Sequence, residues 1–90
     1  MKIAKKTIIL YVLYCLQYGS SEGHTYSQSQ IANVLDSLGI KCDRKTVGRN
    51  IRYLTDFGYP IVKATRGKYY YDGSREVSPA IFIKKNVSRN

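Results

Sequence analysis

Residues 43–58 constrain this chain more than any other stretch, because both ends of a helix are written into them. Asp43 is placed to cap the first free amides of a helix, and its carboxylate suits the positive end of the helix dipole. Cys42 and Val47 stand at the two positions of a hydrophobic staple. Gly58 suits the left-handed turn that ends a helix, and Pro60 forbids continuing it. At 100° per residue, Val47, Ile51 and Leu54 share one face, while Lys45, Arg49, Arg52 and Asp56 share the opposite one. One side of this helix requires a core. The other presents three cations and one acid.

A solvated helix face ordinarily mixes charges of both signs, so this bias needs a reason. A helix has the width to enter the DNA major groove, where Arg and Lys pair with guanine edges. The whole chain supports that direction. Its net charge is +9, and residues 1–40 hold three Lys/Arg against two Asp/Glu, whereas residues 41–90 hold twelve against four. Such asymmetry points to a polyanion, nucleic acid before an acidic membrane surface.

Upstream, Ser27 and Gln30 have the spacing of a capping box, and Tyr26 and Ile31 that of a staple. Ile31, Val34, Leu35 and Leu38 are expected to form the buried stripe of a helix that Gly39 stops, with Ile40 tucking back on it. Two short helices joined by a tight, Gly-containing turn make a helix-turn-helix. In that arrangement the second helix is the one that enters the groove. A very short strand is expected at residues 24–26, where His24 reads as a loop histidine.

Residues 5–18 read as the first helix, and its length favours a helix over a strand rich in β-branched and aromatic residues. Ile8, Ile9, Val12, Leu13, Cys15 and Leu16 form a broad apolar face, and Tyr11, Tyr14 and Tyr18 run along the other side beside Leu10. A helix apolar nearly all round is usually covered twice. Either the chain's own C-terminal segment or a second subunit is expected on the tyrosines. The lysines before this run mimic a signal peptide, but no small-residue cleavage pattern follows. The run is also too short to span a bilayer. A cytoplasmic protein is expected, with no membrane partner.

After Gly58, residues 61–64 and 68–71 read as two strands joined by Thr65, Arg66 and Gly67. This makes a hairpin with Arg66 and Lys68 at its tip, able to reach phosphates or the minor groove. A solvated hairpin whose lysines merely block edge pairing is the alternative. Ser78 and Pro79 suit a helix start, yet residues 80–83 read equally well as a strand. Two cysteines without paired spacing and one histidine suggest neither a disulfide framework nor a zinc site. No paired-carboxylate or Ser/His/Asp set stands out, so neither an enzyme nor a cofactor is expected.

The order of elements resembles the N-terminal winged-helix domain of bacterial WYL-type and DeoR-like transcription regulators. The residues that carry the likeness are Tyr26 to Ala32, Leu35, Leu38 to Ile40, Asp43 to Leu54, Phe57 to Ile61 and the tyrosine-rich second hairpin strand. The likeness spans residues 5–72 and implies DNA binding. It supplies no ligand site, because the sensor domain usual in those regulators lies outside the likeness. Gly48 also departs from it, standing where those regulators usually carry a side chain on the DNA face; it is read either as allowing close approach of the helix backbone to DNA or as tolerated drift.

The expected fold is mainly α with a small β-hairpin (α+β). It is a winged helix-turn-helix over residues 1–76, a three-helix bundle plus wing, followed by an extension over residues 77–90 that is either helix or strand. The expected function is sequence-specific binding of double-stranded DNA by a homodimeric transcription regulator, through a recognition helix over about residues 43–57. Lys45, Arg49 and Arg52 are the base-reading candidates. Gln28, Ser29, Arg44, Thr46 and Asn50 are candidates for phosphate contacts, and Arg66 and Lys68 serve the wing. Tyr11, Tyr14, Tyr18, Ile81 and Phe82 are candidates for the dimer interface, and Tyr53, polar-tipped and at the edge of the buried face, is expected to pack against the core rather than contact a base. Two rival readings are a binder of nucleic acid by charge alone and a winged helix that docks on protein, such as a phage-borne inhibitor of a nucleic-acid enzyme.

Overall fold

Local signals set the ends of the helices. The computed structural model describes residues 5–77. After a single 3-10 turn at Lys5–Thr7, helix α1 runs over Ile8–Gly19. Strand β1, Tyr26–Ser27, leads directly into α2, Gln28–Ser37. The capping box is formed: Ser27 Oγ accepts from the Gln30 amide at 3.1 Å, and Gln30 Oε1 accepts from the Ser27 amide at 2.8 Å. Helix α3, Arg44–Phe57, begins where Asp43 Oδ1 accepts from the Thr46 amide at 2.8 Å. The expected secondary structure over residues 78–83, with Ile81 and Phe82, lies outside the described residues.

The exit from α2 corrects one expectation. Gly39 takes a φ of +84°, so its amide reaches Asp36 O and the Ile40 amide reaches Leu35 O, both at 2.9 Å. This reversal tucks Ile40 into the core at 4% exposure and leaves Leu38 57% exposed. Leu38 therefore leaves the buried stripe to which periodicity assigned it, because the helix ends at Ser37 and the turn hands its inward position to Ile40. The same bond pattern ends α3, where Gly58 has φ +127° and Tyr59 N donates to Leu54 O at 3.1 Å.

Strand β1 also differs from expectation, starting at Tyr26 rather than His24. His24 instead closes a small loop by exchanging two 2.9 Å backbone hydrogen bonds with Ser21. Strands β2, Ile61–Lys63, and β3, Lys68–Tyr71, form the expected hairpin, and β1 adds to β3 to give an antiparallel sheet of order β1-β3-β2. The molecule is thus a small α+β domain with three α-helices and a three-stranded antiparallel sheet among the described residues.

The core lies between the helices and one face of the sheet. Val12 and Leu16 from α1, Ile31 and Leu35 from α2, and Val47 from α3 are wholly buried, with Ile51 and Leu54 beside them. Ile61 and Tyr71, directly paired across β2 and β3, close this core from the sheet side, and no polar or charged described residue is buried in it. Burial pushes the Cys15 thiol up, in keeping with an apolar filler.

A single hydroxyl joins sheet to helix where β1 is too short to do so. Ser20 Oγ donates to Leu16 O at 2.6 Å and accepts from the Tyr71 amide at 2.9 Å. The Tyr71 amide points away from β2, and β1 reaches only as far as Tyr69, so without Ser20 this part-buried donor has no partner among the described residues. Ser20→Ala is expected to lower unfolding free energy by about 1–2 kcal/mol, the penalty for an orphaned donor. Urea denaturation measures it. An unchanged midpoint would mean that water replaces the hydroxyl and that the joint is dispensable.

Candidate nucleic-acid interface

Helix α3 places its buried and charged faces as its periodicity requires. Burial of Val47, Ile51 and Leu54 turns Lys45, Arg49 and Arg52 outward, and all three are exposed. From Lys45 to Arg52 the helix advances about 10 Å, roughly three base-pair rises. The Arg49 guanidinium makes one long hydrogen bond to Thr46 Oγ1, 3.4 Å, which leaves most of its five donors for a ligand. Arg52 stands 4.0 Å from Asp56, with the two side chains 82% and 68% exposed. An ion pair so solvated contributes little, so Arg52 can leave Asp56 for a phosphate or a base at small cost.

The flanking polar residues divide by what already holds them. Ser29 and Arg44 are exposed near the first turns of α2 and α3. Thr46 is half-buried, with its amide committed to Asp43 and its hydroxyl facing Arg49. Asn50 Nδ2 donates to Thr46 O at 2.9 Å, inside the helix's own surface. Gln28 is half-buried and lies over Gly48 so closely that a Cβ on Gly48 would overlap its side-chain amide. The overlapping group is the flexible end of the Gln28 side chain, so a side chain at position 48 would displace that amide.

The hairpin tip is a tight turn in which Arg66 sits at φ +61°, ψ +32° and Gly67 at φ +68°. The Lys68 amide closes it on Thr65 O. These are the dihedral signs of a primed turn, whose twist matches that of the strands it joins. Arg66 is exposed at the apex. Lys68 closes the turn and opens β3, half-buried and paired with Ser27. The cations of this region thus come from α3 and from a hairpin separated from the end of α3 by three residues.

Tyr53 departs from its expected place against the core and is 55% exposed. Ile51 and Leu54 take the inward positions on either side of it, which turns its ring to a flank of α3. There it lines a groove with Phe57, Tyr59 and the Ile9, Leu10 and Leu13 side chains of α1. The other flank of α1 carries Tyr11, Tyr14 and Tyr18, exposed as their helical positions imply. No helix among the described residues is long and apolar enough to cross a membrane, and among them no group of three or more His, Cys, Asp and Glu could hold a metal ion. Comparison with protein-family models, curated proteins and solved structures gave no match.

Asp43 couples the start of α3 to pH. Hydrogen bonds from Thr46, its backbone amide foremost, hold the Asp43 carboxyl below the usual carboxylate range, and Arg49 and Lys45 add to this. A depressed folded-state pKa stabilises the fold above the ordinary carboxylate pKa of about 4, and that contribution disappears as pH falls through the folded value. Asp43→Asn keeps a capping oxygen but removes the titration. Between about pH 5 and pH 2 the variant's urea midpoint is expected to fall less than that of the wild type. Parallel curves would show that Asp43 does not titrate differently on folding.

Proposed function

We propose that this chain binds double-stranded DNA in a sequence-specific manner as a winged helix-turn-helix, in the role of a small transcription regulator. The observation that carries this reading is the outer face of α3. It presents Lys45, Arg49 and Arg52 in one exposed row, on a helix whose opposite face is anchored in the core. Such a helix enters the major groove with its first turns toward the base edges, which makes Lys45 and Arg49 the base readers and Arg52 a contact farther along. Ser29 and Arg44 are the phosphate contacts that set register, and Arg66 at the hairpin apex is the wing's contact. The likeness of residues 5–72 to WYL-type and DeoR-like regulator domains supports the same reading.

Electrostatics supplies affinity and α3 supplies choice. A net charge of +9, concentrated after residue 40, draws the chain to any duplex. Discrimination has to come from bidentate pairing at base edges, worth about 1–3 kcal/mol for each good pair. These two contributions separate in mutants. Arg49→Ala is expected to lower affinity for the preferred site by about 1–3 kcal/mol and relax one base position. Arg66→Ala is expected to weaken binding to every sequence alike and to flatten the slope of log affinity against log salt by about 0.9. If Arg49→Ala behaves like Arg66→Ala in titrations against matched and scrambled duplexes, direct reading by Arg49 is the wrong assignment.

Selection from a random duplex library, at low and at near-physiological salt, tests the function as a whole. A sequence that stays enriched at the higher salt is the expected result. Unselective binding that vanishes with salt would reduce the role to coating by charge. No binding at either salt would remove the reading altogether.

A further inference from the structure

Helix α1 contains no Lys, Arg, Asp or Glu between Ile8 and Gly19, in a chain of net charge +9. Its outward ridge is Leu10, Tyr14 and Tyr18, spaced four residues apart and 62%, 63% and 73% exposed. A groove of about 340 Å³ runs on one side of the ridge, between the tyrosines and Leu38 of the α2 exit. A second groove, about 350 Å³, runs on the other side, between Leu10 and the Tyr53 and Phe57 side chains of α3. Both flanks carry aromatic pairs already packed together. The Tyr14 and Tyr18 rings lie 4.9 Å apart, and those of Phe57 and Tyr59 are stacked at 5.6 Å.

From these features we infer that the α1 ridge with its two grooves is a self-association surface, occupied by a second copy of this chain, and that the C-terminal half of α3 is part of it. Three observations select a second copy. First, the surface is self-complementary: a ridge of i, i+4 side chains beside grooves of matching character is what two helices interdigitate when a two-fold axis relates them. Second, it is the neutral part of a cationic molecule. Two copies meeting here keep their Lys- and Arg-rich faces apart, and an acidic partner finds no cation on α1 to pair with. Third, the area suffices. Leu10, Tyr14, Tyr18, Leu38, Tyr53 and Phe57 are each more than half exposed. At roughly 100–150 Å² apiece, they approach the ~800 Å² per partner of a standard interface.

The surface reaches α3 at the edge of its cationic row. At 100° per residue Phe57 projects more than 100° from Lys45 and Arg52, whereas Tyr53 is the i+4 neighbour of Arg49, so a partner seated here borders the row at Arg49 and leaves Lys45 and Arg52 open. The pairing thereby sets the angle between two α3 helices. That consequence rests on the DNA-binding reading; the pairing itself does not.

Sedimentation equilibrium of the full chain without DNA, at moderate salt to screen its charge, tests the pairing. The expected result is a dimer that Leu10→Glu and Phe57→Glu each weaken by about 30-fold or more, as loss of a central anchor does. Both sites are exposed, and an unchanged helical circular dichroism signal verifies the fold. Leu10→Ser and Phe57→Ser carry the test if a glutamate unfolds the chain. A monomer at every concentration overturns the inference and leaves the surface to residues 79–83 of the same chain or to another protein. A dimer with an unaltered dissociation constant in the Phe57 variants overturns it as well. Dimerisation without any duplex binding would sink the proposed function and leave this inference standing.

Discussion

The arrangement depends on one packing constraint: the Val47, Ile51 and Leu54 stripe of α3 has to be covered from two sides. Helix α1 brings Val12 and Leu16 to it, and α2 brings Ile31 and Leu35. Once these apolar side chains are out of water, the rotation of α3 about its own axis is set, and the cations opposite have no choice but to face solvent. The direction of the cationic row is thus a by-product of core burial. No ion pair is required to aim it, and the only one on that face among the described residues is solvated and weak.

A second constraint ties the sheet to the helices with few residues. Strand β1 has only two residues, Tyr26 and Ser27, and the second is also the cap of α2. Its Ser27 end cannot lengthen without unwinding the helix, and its Tyr26 end, the one directed toward Tyr71, stops where His24 pairs with Ser21 instead. The Ser20 hydroxyl fills the shortfall by bonding both Leu16 and Tyr71. The hairpin is thereby fastened at its base to α1 while its Arg66 apex extends into solvent. Gly48 lies under the Gln28 side-chain amide, which a Cβ at that position would push aside.

The surface divides by chemistry. Cations gather on the outer face of α3 and at the hairpin apex, whereas α1 and the adjoining flank of α3 are neutral and rich in tyrosine, leucine and phenylalanine. Tyr53 and Phe57 stand at the boundary, on the same helix as Lys45 and Arg49 but turned toward α1. One helix therefore carries three faces: the core, the cationic row and part of the apolar surface. Its 14 residues suffice because each face needs only two or three side chains per two turns.

Much of this was legible in the residues themselves. The caps at Ser27 and Asp43, the stops at Gly39 and Gly58, the hairpin around Thr65 to Gly67 and the opposed faces of α3 all arise from interactions within a few positions of chain, which a linear reading can see. The exposure of Leu38 and Tyr53 was not legible, since helical periodicity gives a residue's angle without saying what, if anything, packs against it. Nor was the Ser20 joint, whose partner Tyr71 lies 51 positions away, nor the contact of Gln28 with Gly48. The grooves beside α1 are likewise made of residues from distant elements. By itself the sequence determined where helices begin and end, where the chain turns and which helix face is cationic, because caps, turns and periodicity are short-range. Tertiary structure decided which apolar side chains stay in water, which polar groups are spoken for and which helices share a surface, because these follow from contacts between segments remote in sequence.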